Sequence, residues 1–449
     1  MTGPRKPGFL PSVPKALFWV LFAAYIVVRG GFLGVLGYEV DVNQYKEWAL
    51  GSGLHGLPSA YERTSVDYPP VSLTVFWLVG KAFVLSQPPF GPGPISVEIV
   101  PTWWIKFPHL VFDLLLGALL YRIVAVRRLW GSRSHKAAGH GRLAALCYWW
   151  NPAVLFGSAY WGQLDALHAL LVVGSIAALG GDRLIVSAAC LAAAGLSKPL
   201  AAPLVPLLVF AAALRRGFRG VVVAGASGLA VAILAFSPFW ATGRGWAAVE
   251  RVFFDLGIMP YTSLNAHNFF WLWGAWQPAN EPWLGPLSPS MLGLGLFGLV
   301  LVVLLALNGS WFRRASGSSY EAGLFVIAAA TVASFFFFST HMHENHLFLA
   351  VPLLIAVAGR SPRLAALAGA ASVAVFMNEF LHDPEIPLGL PGFLSATSKA
   401  VDPHMGRPYT VLQVLGSLAN TFLVAVIVLG TAAEALRLGR ERDQSEEGA

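Results

Sequence analysis

Long apolar runs alternate with short polar turns along almost the whole chain. Their lengths predict bilayer-crossing helices over about 16–37, 103–124, 143–159, 164–180, 184–197, 200–214, 220–240, 290–308, 320–339, 346–359, 363–380 and 410–433, twelve in all. The stretch 184–214 is too long for one helix and breaks at Ser197-Lys198-Pro199, so it predicts two short spans joined by a tight turn. Segment 71–87 is apolar but short, carries Lys81 midway and follows Pro69-Pro70. It predicts a helix lying in the outer interface rather than a crossing. The run from Ala322 to Gly359 holds His341-Met342-His343-Glu344-Asn345-His346 at its middle. It is about twice the ~20 residues a spanning helix needs, so two spans meet there at a polar turn.

Charge orients this pattern. With the N-terminus inside, Arg5, Lys6, Arg127, Arg128, Arg133, Arg142, Arg215, Arg216, Arg219, Arg313, Arg314, Arg360 and Arg363 all fall on the inner side, where positive residues collect. Making 71–87 a true crossing would put the 127–142 cluster and Arg215-Arg216-Gly217-Phe218-Arg219 outside, and the rule rejects that version. The net charge of +7 is therefore explained by membrane orientation, and no nucleic-acid partner is needed.

Composition agrees: 56% of residues are hydrophobic and 12% charged, with a mean hydropathy of +0.64. Such a balance excludes an ordinary soluble domain. Sixteen Trp and thirty Phe suit interfacial belts and lipid-facing helices. Cys147 and Cys190 both lie in apolar runs, so no disulfide framework is expected. The fold class is an all-α polytopic membrane protein, one domain over 1–433 with a charged cytoplasmic tail over 434–449, disordered from Arg437 to Ala449. Both termini are expected in the cytoplasm, and the Ala/Gly/Arg-rich composition points to a bacterial plasma membrane.

Chemistry-bearing residues gather on the predicted outer side. The first outer loop, about 38–70, holds Asp41, Asp67 and Tyr68; the turn after the third span holds Gln163 and Asp165. Lys198 sits at the 197–199 turn, Asn265 and His267 lie in the 241–289 loop, and His341, His343 and Glu344 follow. Each has a plainer reading. Asp67 and Asp165 suit helix caps, Lys198 an interfacial anchor, and Asp41 solvation just past a span. The histidine turn is harder to explain that way, because a turn between spans needs none of these costly groups. Arg29, Asp113 and Glu321, inside or beside spans, read as structural pairs. The Asn308-Gly309-Ser310 sequon falls on the inner side and is discounted.

Five elements in order resemble the GT-C superfamily of polytopic glycosyltransferases, which use polyprenyl-phosphate-linked sugars. They are an Asp shortly after the first span, Asp67-Tyr68-Pro69-Pro70, Gln163-Leu164-Asp165, Lys198 between short helices, and His341-Met342-His343-Glu344. The second and fifth are similar to elements of the endoplasmic-reticulum enzymes that glucosylate the lipid-linked oligosaccharide. Trp161-Gly162-Gln163-Leu164-Asp165 and Ser197-Lys198-Pro199 look more like bacterial mannosyltransferases related to the GPI pathway enzymes. The chain departs from the eukaryotic pattern at Asn345-His346, where a Lys follows the Glu. The resemblance implies a GT-C-like fold, a polyprenyl-phosphate-sugar donor, a glycan or glycolipid acceptor and contact with membrane lipids.

Inverting transfer from a lipid phosphate needs a base for the acceptor hydroxyl and donors for the phosphate as charge builds there. Asp41 is the expected base, with Asp67 the alternative. Lys198, His341 and His343 are expected on the donor phosphate. Tyr68, Gln163, Asp165, Asn265, His267 and Glu344 are expected on sugar hydroxyls. No cofactor is expected, although His-x-His-x-x-His leaves a divalent metal open. The competing readings are a transporter or flippase of a lipid-linked or small polar substrate, and a metal-dependent membrane hydrolase.

Overall fold

In a bilayer every backbone polar group must be satisfied within the protein, and runs rich in Ala, Leu, Val and Phe achieve this as helices. The computed structural model, which describes residues 9–88, 96–132, 134–254, 259–382, 397–402 and 407–447, is accordingly mostly helical. Arg5, Lys6, Arg133 and residues 448–449 of the tail lie outside the described residues. The helices in chain order are α1 (Lys15–Phe32), α2 (Glu39–His55), α3 (Ala60–Arg63), α4 (Pro70–Ser86), α5 (Thr102–Val126) and α6 (Ser134–Trp149). Next come α7 (Asp165–Gly180), α8 (Leu184–Gly195), α9 (Val205–Ala241), α10 (Gly245–Phe253), α11 (Pro289–Leu307) and α12 (Gly309–Arg314). The last four are α13 (Gly317–Phe338), α14 (Ala350–Val357), α15 (Pro362–His382) and α16 (Val411–Glu447).

Among the described residues, seven helical segments are long and apolar enough to cross a membrane: α1, α5, Pro199–Ala241, α11, α13, α15 and Val411–Leu438. Pro70–Ser86, Asp165–Gly180, Leu184–Gly195 and Ala350–Arg360 are apolar but shorter. This makes the chain an all-α integral membrane protein. Leu294, Leu299, Val302, Leu307 and Phe422 point outward, as lipid-facing side chains do. α13 is the opposite case, buried along almost its whole length. The largest apolar cluster forms around it, with α5, α7, α14 and α15 contributing.

Several expectations meet local detail. The 200–240 run forms two helices that meet at Gly217 (φ 62°, ψ −158°), so the chain reverses at the Arg215–Arg219 corner. A Cβ on Gly220 would lie 2.7 Å from Ala212 O, which shows how tightly the chain folds back. The segment 143–159 is not one helix: α6 ends at Trp149, and a π-helical turn runs Val154–Trp161. Pro152 between them removes a ladder donor. The segment between α1 and α4 contains α2, which packs on α4 with Gly53 and Gly80 in backbone contact. The tail expected to be disordered continues as helix α16 to Glu447, in keeping with its Ala, Leu, Arg and Glu content.

The structural ion pairs are present. Asp113 of α5 meets Arg29 of α1 at 2.6 Å and accepts hydrogen bonds from Tyr148 and Ser158. Glu321 meets Arg127 at 2.7 Å. Asn308 is fully buried, with its amide donating to Leu304 O, so it offers no exposed sequon.

Candidate active site

The π-helical turn places the first group of site residues. It ends in a left-handed Gly162 (φ 99°), and its last carbonyls, of Ala159 and Tyr160, accept hydrogen bonds from the buried Lys106 Nζ. A π-turn shifts the helix face, and here it aims Trp161 and Gln163 at the start of α2. Trp161 Nε1 donates to Asp41 Oδ2 at 3.0 Å, and Gln163 Nε2 donates to the same oxygen. Asp41 Oδ1 accepts no hydrogen bond among the described residues. Burial pushes the Asp41 carboxyl up to about 6, opposed by the Trp161 hydrogen bond and the Lys198 charge. Tyr45 OH donates to Gln163 Oε1 at 3.2 Å and lies 3.3 Å from Tyr68 OH, which extends the network.

A short parallel ladder brings in the second group. Strand β1 (Ser263–Leu264) pairs with β2 (Met342–His343), and Asn265 bridges to His343. His341 N–H donates to Tyr261 O, which locks the two loops in register at a left-handed His341 (φ 61°). Asn265 Oδ1 accepts from Trp276 Nε1 at 3.0 Å and from Tyr409 OH at 2.7 Å. His343 Nδ1 lies 3.9 Å from Glu344 Oε2. Asn345 points back to α7 and donates to Asp165 Oδ2 at 2.8 Å.

These groups enclose a cavity of about 140 Å³. Asp41, Gln163, Asn265, His343 and Glu344 line it, together with Gln44, Trp161, Trp276, Asn345, Glu379 and His382. Asp165 and Lys198 stand behind Asn345 as a buried ion pair at 2.6 Å. Burial would lower the Lys198 ammonium, but the Asp165 carboxylate and then Tyr68 hold it above the ordinary lysine value. Tyr68 also stands behind the wall, against Tyr45 and about one ring's width from Lys198, whose Nζ is 6.0 Å from the Tyr68 ring centre.

Besides Asp165, Lys198 and Tyr68, three more expected residues are not on the wall. Asp67 is exposed, in the loop whose Val66 carbonyl accepts from Arg251. His341 turns aside to Thr340, with Nδ1 2.9 Å from Oγ1. His267 is fully buried behind His382. Glu379 and His382 are the residues that sequence reasoning missed. Their signal was present: Asn378, Glu379 and His382 crowd the last turn of an otherwise apolar span. Among the described residues, no three His, Cys, Asp or Glu side chains are grouped to hold a metal ion. The chain matches no protein-family model, and no curated protein is significantly similar to it.

Proposed function

We propose that the chain is an inverting glycosyltransferase that moves a hexose, glucose or mannose, from a polyprenyl-phosphate donor to a glycan or glycolipid acceptor. The architecture proposed with it is GT-C-like. It has twelve crossings, both termini in the cytoplasm, α4 in the outer interface, and the cavity opening on the outer face of a bacterial plasma membrane.

The observation that supports this reading best is Asp41 on the wall of a polar cavity. Its Oδ2 is held by two donors, its Oδ1 accepts no hydrogen bond among the described residues, and its proton affinity is raised to about 6. A general base works best when its pKa lies near the operating pH, so this carboxylate suits removal of a proton from an acceptor hydroxyl. Gln163, Asn265, Glu344 and Asn345 supply donors and acceptors of the kind that orient sugar hydroxyls. Lys198 uses one direction on Asp165, and an ammonium has three hydrogens. Of the groups expected on the phosphate only His343 lines the cavity; it would take up charge on the leaving phosphate, with the Lys198 charge acting from behind Asn345. His341 and Asp67 also lie off the wall and take no direct role.

The test is transfer from short-chain polyprenyl-phosphate glucose or mannose to a lipid-extract acceptor by the purified protein in liposomes, with Asp41→Asn alongside. The wild type is expected to transfer, and the variant to lose roughly 10²–10⁴-fold in rate, the range of a general base. Equal transfer by both would remove Asp41 as the base. No transfer with either donor would count against the reaction itself.

A further inference from the structure

His382, on the cavity wall and 94% buried by the complement of its 6% exposure, belongs to none of the roles above. Its protonation pattern can be worked out from its neighbours. Asn420 Nδ2 lies 2.9 Å from Ala374 O and 2.7 Å from His267 Nδ1. A backbone carbonyl only accepts, so the amide nitrogen, not its oxygen, must face Ala374. That same nitrogen then donates to His267 Nδ1, which must carry a lone pair. Burial, and next the neighbouring His382, hold His267 well below the ordinary histidine value, so it is neutral with its hydrogen on Nε2. His267 Nε2 lies 2.9 Å from His382 Nε2, which must therefore accept, as it can also from Ser417 Oγ at 3.4 Å. The chain of roles ends with the His382 hydrogen on Nδ1. That atom is buried and has no hydrogen-bond partner among the described residues.

A buried N–H left without an acceptor is destabilising, and such a group at a cavity wall is a place where a ligand supplies what the protein lacks. Glu379, three residues earlier on α15, lines the same cavity and presents a carboxylate on the same helix face. We infer that His382 Nδ1–H is a fixed hydrogen-bond donor to a hydroxyl oxygen of the bound sugar, with Glu379 the acceptor for a hydroxyl hydrogen of the same sugar. The pair forms a polyol-recognising wall opposite Asp41. The lining supports a polyol rather than a phosphate here, because Asp41, Glu344 and Glu379 are acidic and no Lys or Arg is among the described lining residues. This inference rests on the glycosyltransferase reading, since it takes the cavity's ligand to be a sugar.

Two substitutions separate ligand recognition from packing. His382→Gln keeps a polar atom near the Nε2 position, so it preserves the contact with His267 and removes the Nδ1 donor. His382→Asn does the reverse, placing an amide nitrogen near Nδ1 and abandoning His267. Binding of short-chain polyprenyl-phosphate mannose and glucose is measured by calorimetry on wild type and both variants, with thermal unfolding in parallel. His382→Gln is expected to unfold like the wild type and bind about tenfold more weakly, the effect of one lost neutral hydrogen bond. His382→Asn is expected to keep near-wild-type affinity at a lower Tm. Wild-type affinity in His382→Gln, or weakened binding only in the less stable His382→Asn, would overturn the inference and leave the transferase reading standing. Failure of the wild type to bind either probe would overturn both.

Discussion

At the scale of single residues, the informative feature is asymmetry within one carboxylate. Trp161 and Gln163 both donate to Asp41 Oδ2, so orientation is fixed through one oxygen while the other keeps its lone pairs. Burial raises the group to about 6, and the sign of the consequence follows. Below that value Asp41 is protonated and unable to accept a proton; above it the base is ready. Transfer measured as kcat/KM should therefore rise about tenfold per pH unit on the acid side and level off above pH about 6. Trp161→Phe removes a donor that favours the ionised form, so the acid limb should move to higher pH while the plateau survives at reduced height. A limb that stays in place in Trp161→Phe would mean that another group is being titrated. The sequence pointed to Asp41 through its place after an apolar run and before a Gln-x-Asp turn. It did not show that Trp161 would be the partner, because a Trp beside a span reads first as an interfacial anchor.

At the scale of elements, the site depends on features with no periodic signature. A π-turn uses the same residues as an α-helix, so Val154–Trp161 reads from sequence as the continuation of a span. α2 was hidden for a different reason. Glu-Val-Asp-Val-Asn-Gln-Tyr-Lys-Glu has no clean apolar stripe, and the helix is secured by Tyr45 and Trp48 against Phe76 of α4 together with the close approach of Gly53 and Gly80. The breaks at Ser197-Lys198-Pro199 and at Gly217 were legible, because Pro and Gly punctuate apolar runs unambiguously. Two substitutions probe this level. A Cβ on Gly157 would sit 2.6 Å from Glu379 Oε1, so Gly157→Ala must displace the buried Glu379 carboxylate or shift the π-turn that carries Trp161. It should cost about 1–3 kcal/mol in unfolding and disturb Asp41 indirectly, lowering kcat while Asp41 itself is intact. Lys198→Ala strands the buried Asp165 carboxylate and should cost about 3–5 kcal/mol. Adding Asp165→Leu should recover much of that stability, read as Tm in detergent, without recovering transfer. Full recovery of transfer in the double variant would reduce the pair to a purely structural role.

At the scale of the whole molecule, seven helices among the described residues are long enough to cross a bilayer, and with four shorter apolar ones they accommodate a polytopic chain. Orientation then follows from charge alone. The argument is quantitative in one sense: moving one helix between the crossing and interfacial classes inverts every loop after it. The decisive segment is α4: at 17 residues it is no shorter than α7 or α8, so its length does not set its class and the charge of the loops after it must. If α4 does not cross, the Arg215–Arg219 corner lies inside, and the loop holding Trp276, Gln277 and Trp283 lies outside. If it crosses, both are reversed. A cysteine-free background comes from replacing the free Cys147 and Cys190. Single cysteines at Gln277 and at Arg219 can then be offered a membrane-impermeant maleimide on intact cells. Cysteine at 277 should label at once, and cysteine at 219 only after permeabilisation. The reverse pattern would turn the cavity toward the cytoplasm. A polyprenyl-phosphate donor would then have to be used on the inner leaflet, and the positive-inside argument would have failed at α4. Because Asp41 precedes α4 and His343 follows it, labelling at residues flanking each of them would also show whether the two halves of the cavity share one face. A cavity lined by both requires that they do.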